Sequence, residues 1–144
     1  YEARDITVEG CVFRGSEAPV AFVGVDGAVV RYNTIYRPRK WVLRILQETT
    51  APEFASCRTG RFEHNLIVFR RSEVRVFVNV GPNTQPETFT FAENLWYSED
   101  QAAASRPRLP VSETGGLYGV DKPGHVILQA TGFAGYGAAH AAGA

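Results

Sequence analysis

Cysteine is scarce in this chain, long apolar runs are missing, and neither sign of charge is in surplus. Cys11 and Cys57 are the two cysteines among 144 residues. Two thiols cannot build a disulfide framework, and no C-x-x-C spacing offers a zinc or redox pair. Cys11 lies in an apolar, strand-like setting, which predicts a buried free thiol. No apolar run approaches the roughly 18 residues of a membrane-spanning helix, so no membrane partner is expected. Lys+Arg and Asp+Glu stand at 15 each. No overall field therefore draws the chain to nucleic acid or to an acidic membrane. No secretion signal shows either, since Tyr1-Glu2-Ala3-Arg4 leads straight into a strand pattern, as in a fragment or a mature piece.

Common catalytic signatures are missing too. There is no G-x-x-x-x-G-K-[ST], no H-E-x-x-H and no G-x-S-x-G. His64, His125 and His140 are far apart, and Asp5, Asp26, Asp100 and Asp121 are isolated. Neither group has ligand spacing, so no metal and no cofactor is expected.

What is present is a repeat. Val8-Glu9-Gly10-Cys11-Val12-Phe13, Val30-Arg31-Tyr32-Asn33-Thr34-Ile35, Phe62-Glu63-His64-Asn65-Leu66-Ile67 and Phe91-Ala92-Glu93-Asn94-Leu95-Trp96 superimpose. Each reads apolar, two variable positions, Asn or Cys, one variable position, bulky apolar. The Asn/Cys positions lie 22, 32 and 29 residues apart, a spacing that suits a stack of short-strand units. Eight or nine residues after an Asn/Cys position begin further strand-like runs: Val20–Val23, Trp41–Leu46 and Val74–Val80. These runs are rich in Val, Ile and Phe, alternate with period two, and are punctuated by Gly and Pro. They predict an all-β chain.

The repeated Asn has a physical reason. Equivalent residues of stacked strands lie about 4.8 Å apart, so each amide can donate to one neighbour and accept from the other. Asn33, Asn65 and Asn94 are expected to form such a ladder, capped or interrupted by Cys11. The Asn is also expected to take up the left-handed bend between strands.

The pattern resembles the repeats of the right-handed parallel β-helix superfamily, which includes pectate-lyase-like and chondroitinase-B-like proteins. The resemblance covers residues 4–99. It implies a single-stranded solenoid of about four coils over residues 1–99. Residues 100–144 would then be a loop and C-terminal capping tail of the same domain, with Val126-Ile127-Leu128 as a short strand. It further implies a C-terminal segment of an extracellular or periplasmic protein. Stacked repeats bury their core only against neighbours, so the apolar N-terminal edge at Ile6, Val8 and Phe13 implies a longer chain or self-association through that end.

Function is less legible. Residues 37–75 hold nine Lys/Arg against four Asp/Glu, a local positive excess. Alternation places Trp41, Leu43 and Ile45 inward with Val42, Arg44 and Leu46 outward. It also places Val74, Val76, Val78 and Val80 inward with Arg75, Phe77 and Asn79 outward. Arg44, Arg75, Phe77 and Asn79 are thus the candidate substrate-binding residues. Guanidinium groups suit carboxylates or sulfates, and an exposed ring suits a sugar face. Two readings stay open. One is a carbohydrate-active, lyase-like protein that binds or cleaves an acidic polysaccharide, with no catalytic residue assigned. The other is a structural or adhesive scaffold whose arginines keep the surface soluble or pair with Glu48, Glu63 and Glu73.

Overall fold

A computed structural model describes residues 1–119; the expected tail strand Val126–Leu128, His125, His140 and Asp121 lie outside the described residues. The architecture is all-β, with short strands that recur in a fixed order. The first series is β1 (Ala3–Arg4), β2 (Thr7–Glu9), β3 (Val12–Arg14) and β4 (Val20–Val23). The second is β5 (Val25–Asp26), β6 (Val29–Arg31), β7 (Thr34–Tyr36) and β8 (Leu43–Leu46). Then come β9 (Arg61–Glu63), β10 (Leu66–Phe69) and β11 (Val78–Val80), followed by β12 (Thr90–Ala92), β13 (Leu95–Ser98) and β14 (Leu117–Tyr118). Short 3-10 turns at Pro86–Thr88 and Ala102–Ala104 interrupt the late connections.

Pairing is parallel throughout the described residues, and each strand lies beside its counterpart in the next series. The three larger sheets run β2-β6-β9-β12, β3-β7-β10-β13-β14 and β4-β8-β11, with a small β1-β5 pair beside them. Register keeps like on like. Val8, Val30, Phe62 and Phe91 face one another in one sheet. Phe13, Ile35, Ile67, Trp96 and Tyr118 do so in the next. Val20, Leu43 and Val78, with Phe22, Ile45 and Val80, form two columns in the third. Inward columns from all three sheets meet in one core that includes Phe22, Ile45, Phe62, Ile67, Phe77 and Trp96. That shared burial is the main force that holds the stack together.

The ladder forms. Asn33 donates from its backbone N–H and from Nδ2 to Asn65 Oδ1, both at 3.1 Å. Asn65 makes the same two bonds to Asn94 Oδ1, at 2.9 and 3.1 Å. The second Nδ2 hydrogen of each Asn goes to a carbonyl of the neighbouring strand one series earlier: Val8, Val30 or Phe62. Cys11 ends the column, because its N–H donates to Asn33 Oδ1 at 2.9 Å but its side chain continues nothing upward.

Two expectations are corrected here. The left-handed residue is not the Asn but the one before it: Gly10, Tyr32, His64 and Glu93 all have φ between 53° and 66°. The Asn side chain must turn back along the stack to meet its neighbour, so the bend falls one residue earlier. And Cys11 is exposed while Cys57 is buried. Cys11 lies on the first repeat, with no strand beneath it among the described residues, whereas Cys57 Sγ donates to Phe22 O at 3.5 Å inside the core. Burial pushes the Cys57 thiol pKa up, which suits packing rather than reactivity.

Candidate functional site

The outward face of the β4-β8-β11 sheet carries one row set by register: Ala21, Arg44 and Asn79 lie side by side. Arg44 Nε donates to Asn79 Oδ1 at 2.9 Å. Its guanidinium carbon also sits 4.5 Å from the centre of the Trp41 ring, and Lys40 Nζ lies 4.3 Å from the same centre. Lys40 is anchored in turn by Glu17 at 3.7 Å, an exposed pair. Arg44 is therefore held in place without a carboxylate on it among the described residues, which leaves its remaining N–H donors to offer to an anion.

The structure brings Arg44 and Asn79 together and puts Arg75 elsewhere. The expected alternation of residues 74–80 breaks because β11 starts only at Val78, with bends before it. As a result Phe77 turns inward, with 2% of its surface exposed, while Val76 is 52% and Val80 41% exposed. Phe77 packs edge-on against Phe69 at 5.0 Å and Trp96 at 5.8 Å. A ring buried in this way cannot stack on a sugar, which corrects its outward placement. Val42 is likewise buried, because it precedes β8 at a bend and its N–H bonds back to Phe77 O.

Arg75 instead belongs to a groove of about 490 Å³ at the β11 end of the sheet, walled by Arg71, Val76, Val80, Arg108, Leu109 and Pro110. Arg71 lies over the Phe77 ring at 4.8 Å and donates from Nε to Ala104 O. Its turn is pinned by Asp100, which accepts the backbone N–H groups of Arg71 and Ser72. Desolvation pushes the Asp100 pKa up, but these bonds and the Ser98 hydroxyl outweigh it and hold the carboxyl well below the usual carboxylate range. Arg75 and Arg108 are exposed, and neither they nor Arg71 forms an ion pair among the described residues. Elsewhere three acids hold arginines. Glu73 takes Arg37 at 2.8 Å, Glu63 takes Arg61 at 3.0 Å, and Asp26 takes Arg58 at 3.1 Å.

Sequence reasoning missed Arg71, Arg108 and the ring of Trp41. Trp41 follows the expected alternation in name only, since it lies half-buried on the rim. Arg108 sits in a polar loop with no periodicity to place it, and only the fold sets it against β11. Glu113 was missed for the same reason. Its carboxylate takes the next position of the Asn ladder: Oε2 accepts from Asn94 N and Nδ2, and Oε1 accepts from Trp96 Nε1 and the Tyr118 hydroxyl. No family model, no curated protein and no solved structure matches the chain.

Proposed function

We propose that the chain is a stretch of right-handed parallel β-helix, about four coils long, whose β4-β8-β11 face binds an acidic polysaccharide. The parallel pairing and the like-on-like columns support the solenoid reading, because each series of strands adds one rung to every sheet in turn. One observation carries the functional reading. Arg44 is oriented by Asn79 and Trp41 yet has no carboxylate partner among the described residues. A cation fixed in this way loses little freedom when a uronate carboxylate or a sulfate arrives, which is the benefit of preorganisation. Each charge-assisted bond it gives is worth about 1.5–3 kcal/mol. The role assigned to this face is binding, with Arg44 as the anion contact, Asn79 as its positioning partner, and Lys40 and Trp41 as flanks.

The test is calorimetric titration with a galacturonate oligosaccharide and with its methyl ester. The acid form should bind and weaken with salt, the ester should not, and Arg44→Ala should lose at least tenfold in affinity. Equal affinity for acid and ester, or for wild type and Arg44→Ala, would overturn the reading. A second reading, a non-catalytic scaffold, is favoured by the ion pairs that tie one series to the next, Arg31 to Glu9 and Arg58 to Asp26. Absence of any glycan binding would leave that one standing.

A further inference from the structure

The three larger sheets do not end alike. The β13 edge is covered by β14, and the β12 edge receives a bridge from Thr114 to Ala92. The β11 edge has no partner strand among the described residues. Backbone direction there follows from the ladder with β8. Phe77 O accepts from Leu43 N–H, and Gly81 N–H donates to Ile45 O. Alternation then turns the N–H and C=O of Val78 and Val80 away from β8, toward the groove. The side chains give the same picture. Val80 continues the buried column of Phe22 and Ile45 but is itself 41% exposed, since no strand stacks on it among the described residues. An edge of this kind is a template for a further strand.

Charge says what kind of strand. Arg75 and Arg108 line the groove without a carboxylate partner among the described residues, and Arg71 stands beside them. Val76, Leu109 and Pro110 supply apolar wall between the cations. A saccharide could meet the arginines, but it has no backbone to complete the ladder of Val78 and Val80. An extended peptide has one.

We propose that the β11 edge is a docking site for an extended acidic peptide, which adds to the sheet as a parallel fourth strand. The register fixes the preferred sequence. Two apolar residues flanking a small polar one lie opposite Val78, Asn79 and Val80, so that both core columns and the outward row continue. Acidic residues precede them, opposite Arg75 and within the field of Arg71 and Arg108. The central polar residue of the peptide donates its N–H to Val78 O and accepts from Val80 N–H.

The probe is fluorescein-labelled Glu-Asp-Glu-Val-Asn-Val-Gly, titrated against the full chain by fluorescence anisotropy. It should bind. The double variant Arg75→Ala with Arg108→Ala should weaken it at least tenfold, and both side chains are exposed, so the fold tolerates the change. Arg31→Ala, which removes one charge on another sheet, should leave affinity within twofold. Methylation of the amide nitrogen of the peptide Asn, which deletes one ladder bond and blocks the approach, should abolish binding. Reversing the peptide sequence at constant composition should cost at least tenfold. No binding to the full chain overturns the proposal. So does equal affinity for the methylated or reversed peptide, or displacement by a galacturonate oligosaccharide as effective as by unlabelled peptide.

Discussion

The Asn corner and the β11 edge lie at opposite extremes of the same stack. At the corner every side-chain donor and acceptor of the three asparagines has a partner, and Glu113 supplies the last acceptors when the asparagines run out. At the β11 edge no further strand follows among the described residues, and a core-facing valine is left 41% exposed. A repeat fold is self-sufficient only where its columns are closed. A column closed by a side chain needs nothing further, whereas a strand edge without a cap asks for another chain.

Core columns give the largest contrast. Ile45 is fully buried between Phe22 and Val80, so Ile45→Ala should cost about 3 kcal/mol in urea denaturation, by lost burial plus a cavity. Val80→Ala, one rung further along the same column, should cost less than about 1 kcal/mol, because its face is already open to water. Similar losses at both positions would mean that the β11 end is covered in solution.

The ladder comes next. Asn65→Leu leaves the N–H and Nδ2 of Asn33 without their acceptor and removes the Nδ2 donor to Asn94 Oδ1 and Val30 O, while the backbone N–H of residue 65 still reaches Asn94 Oδ1. Unsatisfied buried groups cost about 1–3 kcal/mol each, and partial relaxation brings the expected total to about 2–3 kcal/mol. A loss below 1 kcal/mol would show that the column is replaceable and that the corner owes its closure to the backbone alone.

This corner is also where the sequence was most readable. The spacing of Asn33, Asn65 and Asn94, with matched apolar flanks, foretold both the ladder and the inward column of Phe13, Ile35, Ile67 and Trp96, because identical residues at stacked positions leave a visible repeat. The left-handed bend was misplaced by one residue, since Gly10, Tyr32, His64 and Glu93 share no chemistry that marks them. The candidate site was far less readable. Period two holds only inside a strand, and the bends at residues 75–77 reversed Phe77 and Val76. Register set Arg44 against Asn79 and left Arg75 in the groove. Arg108 and Glu113 reach their places through a connection without periodicity, which only the fold itself can place.

The cap of the ladder should respond more mildly than its centre. Glu113→Ala removes the acceptor of Asn94 N–H, Asn94 Nδ2, Trp96 Nε1 and the Tyr118 hydroxyl. Glu113 is only half-buried, so water replaces part of what is lost and the expected cost is about 1–2 kcal/mol. A cost that matches or exceeds that of Asn65→Leu would make the cap, rather than the amide column, the keystone of the corner.

The smallest effect is electrostatic and is read without unfolding the chain. Burial, then the hydrogen bond and charge of Glu113, push the Tyr118 phenol up to about 12, while Arg106 near its ring acts the other way. An ordinary tyrosine ionises near 10. The folded state therefore favours the protonated phenol. The stability this lends is complete below about pH 10 and is lost as pH rises through about 12, because the unfolded chain releases its proton first. Alkaline titration followed by phenolate absorbance should show one tyrosine ionising near 12, and that step should vanish in Tyr118→Phe. Glu113→Gln should move the same step toward 10, since the amide keeps an acceptor for the hydroxyl but removes the charge that opposes a phenolate. A step that stays near 12 in Glu113→Gln would assign the shift to burial and the hydrogen bond, with no share from the charge. It would show that Glu113 closes the ladder through its hydrogen bonds to Asn94 and Trp96, and that its charge takes no part in holding β14 on the stack.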